Sequence, residues 1–203
     1  MAFVMTPMTE LDAVNLMLIS IGQTPVNTLS VSGIRDVAIA QTLLLATGRE
    51  VLGRGWFFNE ETDYAVSPDG SGNIVVPATA FQYDPVNTTH NYVPRDNGGT
   101  QMLYDLTDKT FVITEDPLKL NVIWFVDFDT LPQTARNYIA VRSARRFQAY
   151  MVGSQILYQY TSQDEQDALT ELQRRDVRVR DVNILYDGDM TNQIFNRRSN
   201  PWR

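Results

Sequence analysis

The chain has 203 residues, 43% hydrophobic and 20% charged, the balance of a folded protein long enough to bury a core without staples. It has no cysteine, which excludes disulfides and thiolate chemistry, and one histidine, His90, too few for a conventional zinc site. Its net charge of −7 is uneven: residues 1–135 carry 6 basic and 16 acidic side chains, residues 174–203 carry 7 and 4, so the chain lacks the concentrated positive surface of a general DNA binder.

Residues 1–8 show neither a basic start nor a long apolar run, so no secretory leader is expected, and no stretch approaches the roughly 20 apolar residues of a membrane helix. Thr9 ahead of Glu10 and Asp12 predicts a helix N-cap with acid in the first turn. Leu11, Val14, Leu18 and Ile21 continue at helical spacing until Gly22 and Pro25 end the pattern. A second helix is predicted from Ile34 to Leu52, with Val37, Leu44, Val51 and Leu52 on its apolar side and Gly53 and Gly55 as its stop. Residues 1–55 thus read as a helical hairpin.

The pattern changes at Trp56. Short β-rich runs follow, at Trp56–Val66, Asn73–Val76, Thr79–Tyr83, Asn91–Pro94, Gln101–Leu106, Thr110–Thr114 and Leu120–Phe128. Between them lie turn clusters, 67–72 and 96–99 among them. Residues 56–131 are therefore expected to form an antiparallel β domain, with the nearly continuous apolar run Asn121–Val126 as its central strand. Helical spacing resumes after Pro132, predicting one helix over 133–160 and another over 162–176, a second hairpin within 132–181. Val177, Val179 and Val182 alternate with polar residues and fit either a strand or a frayed helix; residues 182–203 read as an extended arm. The order predicts an α+β fold, a four-helix bundle of two hairpins with an inserted β domain.

Several of these blocks carry a resemblance. Thr9-Glu-Leu-Asp-Ala-Val-Asn15 with Leu18, Ile21-Gly22 and Pro25-Val26 is similar to the opening of the tail tubular protein A family, the head-to-tail adaptors of short-tailed bacteriophages. So are Gly53-Arg-Gly-Trp-Phe-Phe-Asn59, the run Leu120–Phe128 leading into 129–132, the helix bearing Arg145-Arg146-Phe147, and Val182-Asn-Ile-Leu-Tyr-Asp-Gly-Asp189. The resemblance implies a virion protein at the portal vertex, made in the host cytoplasm, forming a ring of twelve copies. Its implied partners are the portal, the nozzle protein tail tubular protein B, the tail fibre, and genomic DNA passing through the lumen without specific binding. It implies no enzymatic activity, no cofactor and no membrane anchor. The helical part is expected to carry the ring contacts, with the β part projecting outward.

A ring needs two different complementary patches on each subunit. Arg142, Arg145 and Arg146 share one side of a helix and are candidates to pair with Asp164, Glu165 and Asp167, within a subunit or across the ring. In the arm, Arg197, Arg198, Trp202 and Arg203 are of the types that dominate interface hot spots, and the arm is expected to order on the portal or on a neighbouring subunit. The alternative function is glycan hydrolysis by Glu61 and Asp63, which an ideal strand places on one face beside Glu60. Acidic groups on a strand's solvent face are common without chemistry. A nucleic-acid-binding module is the third reading, with a steep salt dependence as its signature. Trp56-Phe57-Phe58 and Trp124-Phe125 are expected to be core, and His90 a solvated loop residue. Asp105, Asp108, Glu115 and Asp116 lack the spacing of a calcium loop.

Overall fold

A computed structural model describes residues 6–30, 35–86, 88–153 and 155–180, the last segment as backbone alone over 155–161. The fold is α+β. Four helices, α1 (Glu10–Ser20), α2 (Arg35–Leu52), α3 (Gln133–Met151) and α4 (Gln155–Arg180), flank five strands, β1 (Glu60–Val66), β2 (Ala80–Pro85), β3 (Tyr92–Asn97), β4 (Thr100–Asp105) and β5 (Leu118–Trp124).

Thr9 caps α1 as a capping box: its hydroxyl accepts from the Asp12 amide, and the Asp12 carboxylate accepts from the Thr9 amide at 2.9 Å. Helix α3 is the one against which α1, α2 and α4 all pack. Its Tyr138, Ile139, Ala140 and Phe147 are fully buried with Val14, Met17 and Leu18 of α1, Val37 and Leu44 of α2, and Leu172 of α4. Met151, the last residue of α3, is exposed.

The break between α3 and α4 lies earlier than the sequence pattern predicted. Helix α3 stops at Met151 instead of near 160, because Gly153 takes a φ of 66°, the left-handed turn that ends helices and that glycine adopts without strain. Helix α4 begins at Gln155 and continues through Val177 and Val179 to Arg180, so that stretch is helix as far as Arg180; Val182 lies outside the described residues.

The strands form two small antiparallel sheets, β1-β5-β2 and the hairpin β3-β4. β5 is central, as its apolar sequence predicted. The β3-β4 turn is Gly98-Gly99, with φ of 64° and 88°, a two-residue loop whose twist matches the strands. Of the other expected strands, 73–76 contributes a single bridge, Val75 to Met102, and 110–114 another, Asp105 to Thr110. After Trp124 the chain leaves the sheet, so 125–128 is linker and not strand, followed by a 3-10 turn at Phe128–Thr130. A second, smaller core of Ile74, Tyr92, Leu103, Ile113, Leu118, Leu120 and Val122 lies among the strands.

Candidate assembly surface

Arg142, Arg145 and Arg146 of α3 lie close together, and carboxylates of the same chain meet them. Arg142 donates to Glu165 at 2.9 Å and to Glu50, Arg145 donates to Glu165, and Arg146 reaches Glu50 at 2.5 Å. Arg142 also donates to the Tyr138 hydroxyl at 3.1 Å. Glu165 is buried, whereas Glu50 is 42% exposed in its side chain. Burial works against the charge on Glu50, yet the hydrogen bond from Arg146 and the charges of Arg142 and Arg146 outweigh it and hold the carboxyl below its ordinary range. The network therefore ties α2 and α4 to α3. Asp164 and Asp167 stay exposed, Asp167 accepting from Gln163 at 3.1 Å one turn away. Arg197, Arg198, Trp202 and Arg203 lie outside the described residues.

A different basic cluster has no carboxylate partner among the described residues. Arg174, Arg175 and Arg178 of α4 line a cleft of about 350 Å³ with Glu171 and the first residues of α3. Beyond it, Arg180 pairs with Glu60 at 2.6 Å and with Asp176 at 3.1 Å, while Asp176 accepts from the Phe57 amide at 2.7 Å. These contacts pin the end of α4 to the start of β1.

The carboxylates weighed for glycan hydrolysis are tied into the framework. Glu60 takes Arg180, Glu61 accepts from the Trp124 indole at 3.1 Å, and Asp63 lies 3.9 Å from Lys119. Asp63 has a φ of 56° and the β1-β5 register shifts between Glu61 and Tyr64, so the alternation that puts Glu61 and Asp63 on one face does not hold there.

His90 is more engaged than a solvated loop residue. Its Nδ1 lies 2.6 Å from the buried Asp105 and 3.8 Å from Asp108, and the hydrogen bond that the ring N–H donates to the Asp105 carboxylate raises the His90 pKa above the ordinary value. These three are the residues, among those described, whose ligand atoms come together as a metal site requires. Asp105 is already satisfied, however, with its second oxygen accepting from the Thr107 and Asp108 amides at 2.7 and 3.3 Å. Burial opposes charge on Asp105, but these hydrogen bonds prevail and lower its pKa.

Among the described residues the helical part thus carries one internally paired arginine cluster on α3 and one exposed basic cluster on α4. A profile of the family described as tail tubular protein matches residues 11–182. Tail tubular protein A of Klebsiella phage KP34 is 30% identical over 133 residues, 66% of this chain and 68% of that protein. The chain belongs to the tail tubular protein family. It is a structural protein of a bacteriophage tail, and among the described residues no helix is long and apolar enough to cross a membrane.

Membership gives the Gly53–Asn59 block of this tail tubular protein a physical reading. Gly55 takes a φ of 73°, and a Cβ at Gly53 would stand 2.5 Å from the Phe81 ring, so both glycines serve the turn from α2 into the sheet. The Trp56 indole donates to the Val51 carbonyl at 2.8 Å, capping the end of α2. Asn59, 2% exposed, accepts from the Trp56 amide at 2.9 Å and donates to the Leu52 and Trp124 carbonyls at 3.0 and 2.9 Å. One amide side chain thus joins α2, β1 and β5.

Three residues that the sequence pattern did not single out hold the tail tubular protein together: Glu50, Asn59 and Arg136. Arg136 is 8% exposed and has no carboxylate partner among the described residues; it donates to the Leu131 carbonyl at 2.6 Å, to the Met8 carbonyl at 2.7 Å and to that of Asp129. Its position was the available signal. A cation in the first turn of a helix opposes the macrodipole, so it needs another use.

Proposed function

We propose that this tail tubular protein is the subunit of a head-to-tail adaptor ring of twelve copies, joining the portal to the tail nozzle around a channel for DNA ejection. The family match, which runs through both the helical and the β parts, carries the reading. The ring sits at the portal vertex of the virion, docks to the nozzle protein tail tubular protein B and to the tail fibre, and acts by assembly rather than catalysis. Residues 1–55 and 132–181 make the wedge that meets neighbouring subunits, 56–131 project outward, and 182–203 form an arm. A like-charged channel wall lets DNA slide without adhering, and the net charge of −7 suits that role.

The side chains support a wedge with unlike flanks. Arg142, Arg145, Arg146 and Glu165 neutralise one another internally with Glu50, so they stiffen the wedge more than they bridge subunits. One flank offers an apolar groove of about 470 Å³ between α2 and α3, lined by Ala38, Ile39, Leu43 and Tyr150, with Val152 51% exposed nearby. Another offers Arg174, Arg175 and Arg178, which have no carboxylate partner among the described residues, with the exposed Asp164 and Asp167 on the same helix. Two different patches are what a closed heterologous ring requires. Sedimentation of the purified chain, alone and with portal, tests this. The expected result is a species of twelve copies, formed alone or on the portal; a monomer under both conditions contradicts it.

A further inference from the structure

A cleft of about 420 Å³ opens between α2 and the linker that runs from β5 to α3. Its floor is apolar, built from Leu44, Leu52, Phe125 and Ile139, and Leu45 stands 47% exposed at its mouth. Its rim is acidic: Glu10, Asp127 and Asp129 line it, and none has an ion-pair partner among the described residues. An apolar hollow ringed by carboxylates fits an aromatic side chain flanked by cations.

The chain carries such a segment at its own end. Residues 195–203, Phe-Asn-Arg-Arg-Ser-Asn-Pro-Trp-Arg, hold two large aromatics and three arginines in nine positions. They are also tethered close by. Helix α4 ends at Arg180, fixed to Glu60 at 2.6 Å, and its Asp176 is fixed to Phe57. Residues 57–60 in turn contact the cleft wall, since the Asn59 amide bonds the carbonyls of Leu52 and Trp124, next to Phe125. Fourteen residues, 181–194, separate this anchor from the arm. A chain of that length spans roughly 20 Å when coiled and at most about 50 Å when extended. Such a tether sets an effective concentration in the millimolar range, so the segment meets its own cleft before it meets a neighbour's.

We infer that in the free subunit the C-terminal segment 195–203 docks into its own α2–linker cleft, with Trp202 on the apolar floor and Arg197, Arg198 and Arg203 against the acidic rim. The inference concerns the unassembled chain and stands apart from the ring reading.

The absence of native cysteine makes a clean test of the full chain. Leu45→Cys at the cleft mouth and Ser199→Cys in the arm are joined with a short bis-maleimide linker at low protein concentration. The expected product is a looped monomer, formed at least tenfold faster than in a control pairing Ser199→Cys with Asp96→Cys on the β3-β4 hairpin. Adding Trp202→Ala, or Arg197→Glu with Arg198→Glu, is expected to bring the rate down to the control. The inference is overturned by a rate equal to the control, by a rate those changes leave unaltered, or by products that are only intermolecular. Because Leu45→Cys removes apolar surface, Thr130→Cys, in the linker that lines the cleft, repeats the test with Leu45 intact.

Discussion

Glu165 is the point at which the helical network is most sensitive. The substitution Glu165→Gln keeps the shape and one carbonyl acceptor but removes the charge that Arg142 and Arg145 share. The side chains of Glu165, Arg142 and Arg145 are 11%, 14% and 16% exposed, so solvent screens the loss only weakly. Breaking a buried pair costs about 3–5 kcal/mol, but Arg142 keeps Glu50, which places the expected cost at about 2–3 kcal/mol. In a domain of this size that lowers Tm by roughly 5–10 °C. Glu50→Gln also touches two arginines, yet Glu50 is 42% exposed, and the expected cost is at most about 1 kcal/mol. Urea unfolding of both variants, with m checked for constancy, measures the two costs on one scale. If Glu50→Gln costs as much as Glu165→Gln, burial does not rank these pairs and the reasoning fails.

Three further outcomes follow from buried polar groups. Asn59→Ala strands the Trp56 amide, takes a donor from the Trp124 carbonyl and leaves the Leu52 carbonyl with the Gly55 amide alone, and is expected to cost about 2–3 kcal/mol by urea unfolding, whereas Gly53→Ala, which meets the movable and half-exposed Phe81 ring and, at 3.2 Å, the Arg49 carbonyl, costs less. Arg136→Met leaves three carbonyls without their donor and is expected to cost about 2–4 kcal/mol, with faster amide exchange at residues 8–10. The His90–Asp105 pair has a two-sided pH window. Because the His90 pKa is raised, its contribution is fully present below its unfolded value near 6.5 and is lost as pH rises through the higher folded value. Because the Asp105 pKa is lowered, its part is present above its unfolded value near 3.8 and is lost as pH falls through the lower folded value. The Tm difference between the native chain and His90→Ala is therefore expected to be largest between about pH 4 and 6.5 and to shrink above it; a difference that grows toward pH 8 contradicts the pairing.

What the sequence discloses here tracks the range of the interaction. Helix α1 was legible because Thr9 and Asp12 cap it locally, and β5 because its Leu118, Leu120 and Val122 are buried and its run continues apolar through Ile123 and Trp124. The break at Gly153 carried a local signal, the left-handed glycine, but the good helix formers after it hid it from a periodicity reading. The last turn of α4 had no apolar signal at all: Val177 and Val179 are 61% and 46% exposed, and Arg180 holds the turn through Asp176 and Glu60. The charged network was half legible. Three arginines on one helix face pointed to acidic partners and Glu165 answered, but Glu50 lies 92 residues from Arg142 and comes near it only when α2 packs on α3. Asn59 and Arg136 act through backbone groups, and the partners that tie the parts of the fold together, Trp124 and Met8, are remote in sequence, which no spacing encodes.

Electron microscopy of the purified chain mixed with portal rings shows whether the subunit assembles. An open-centred ring of twelve subunits stacked coaxially on the portal is expected, with the helical parts in contact and the β parts outward. Portal rings left bare at every ratio of the two proteins contradict the proposed assembly.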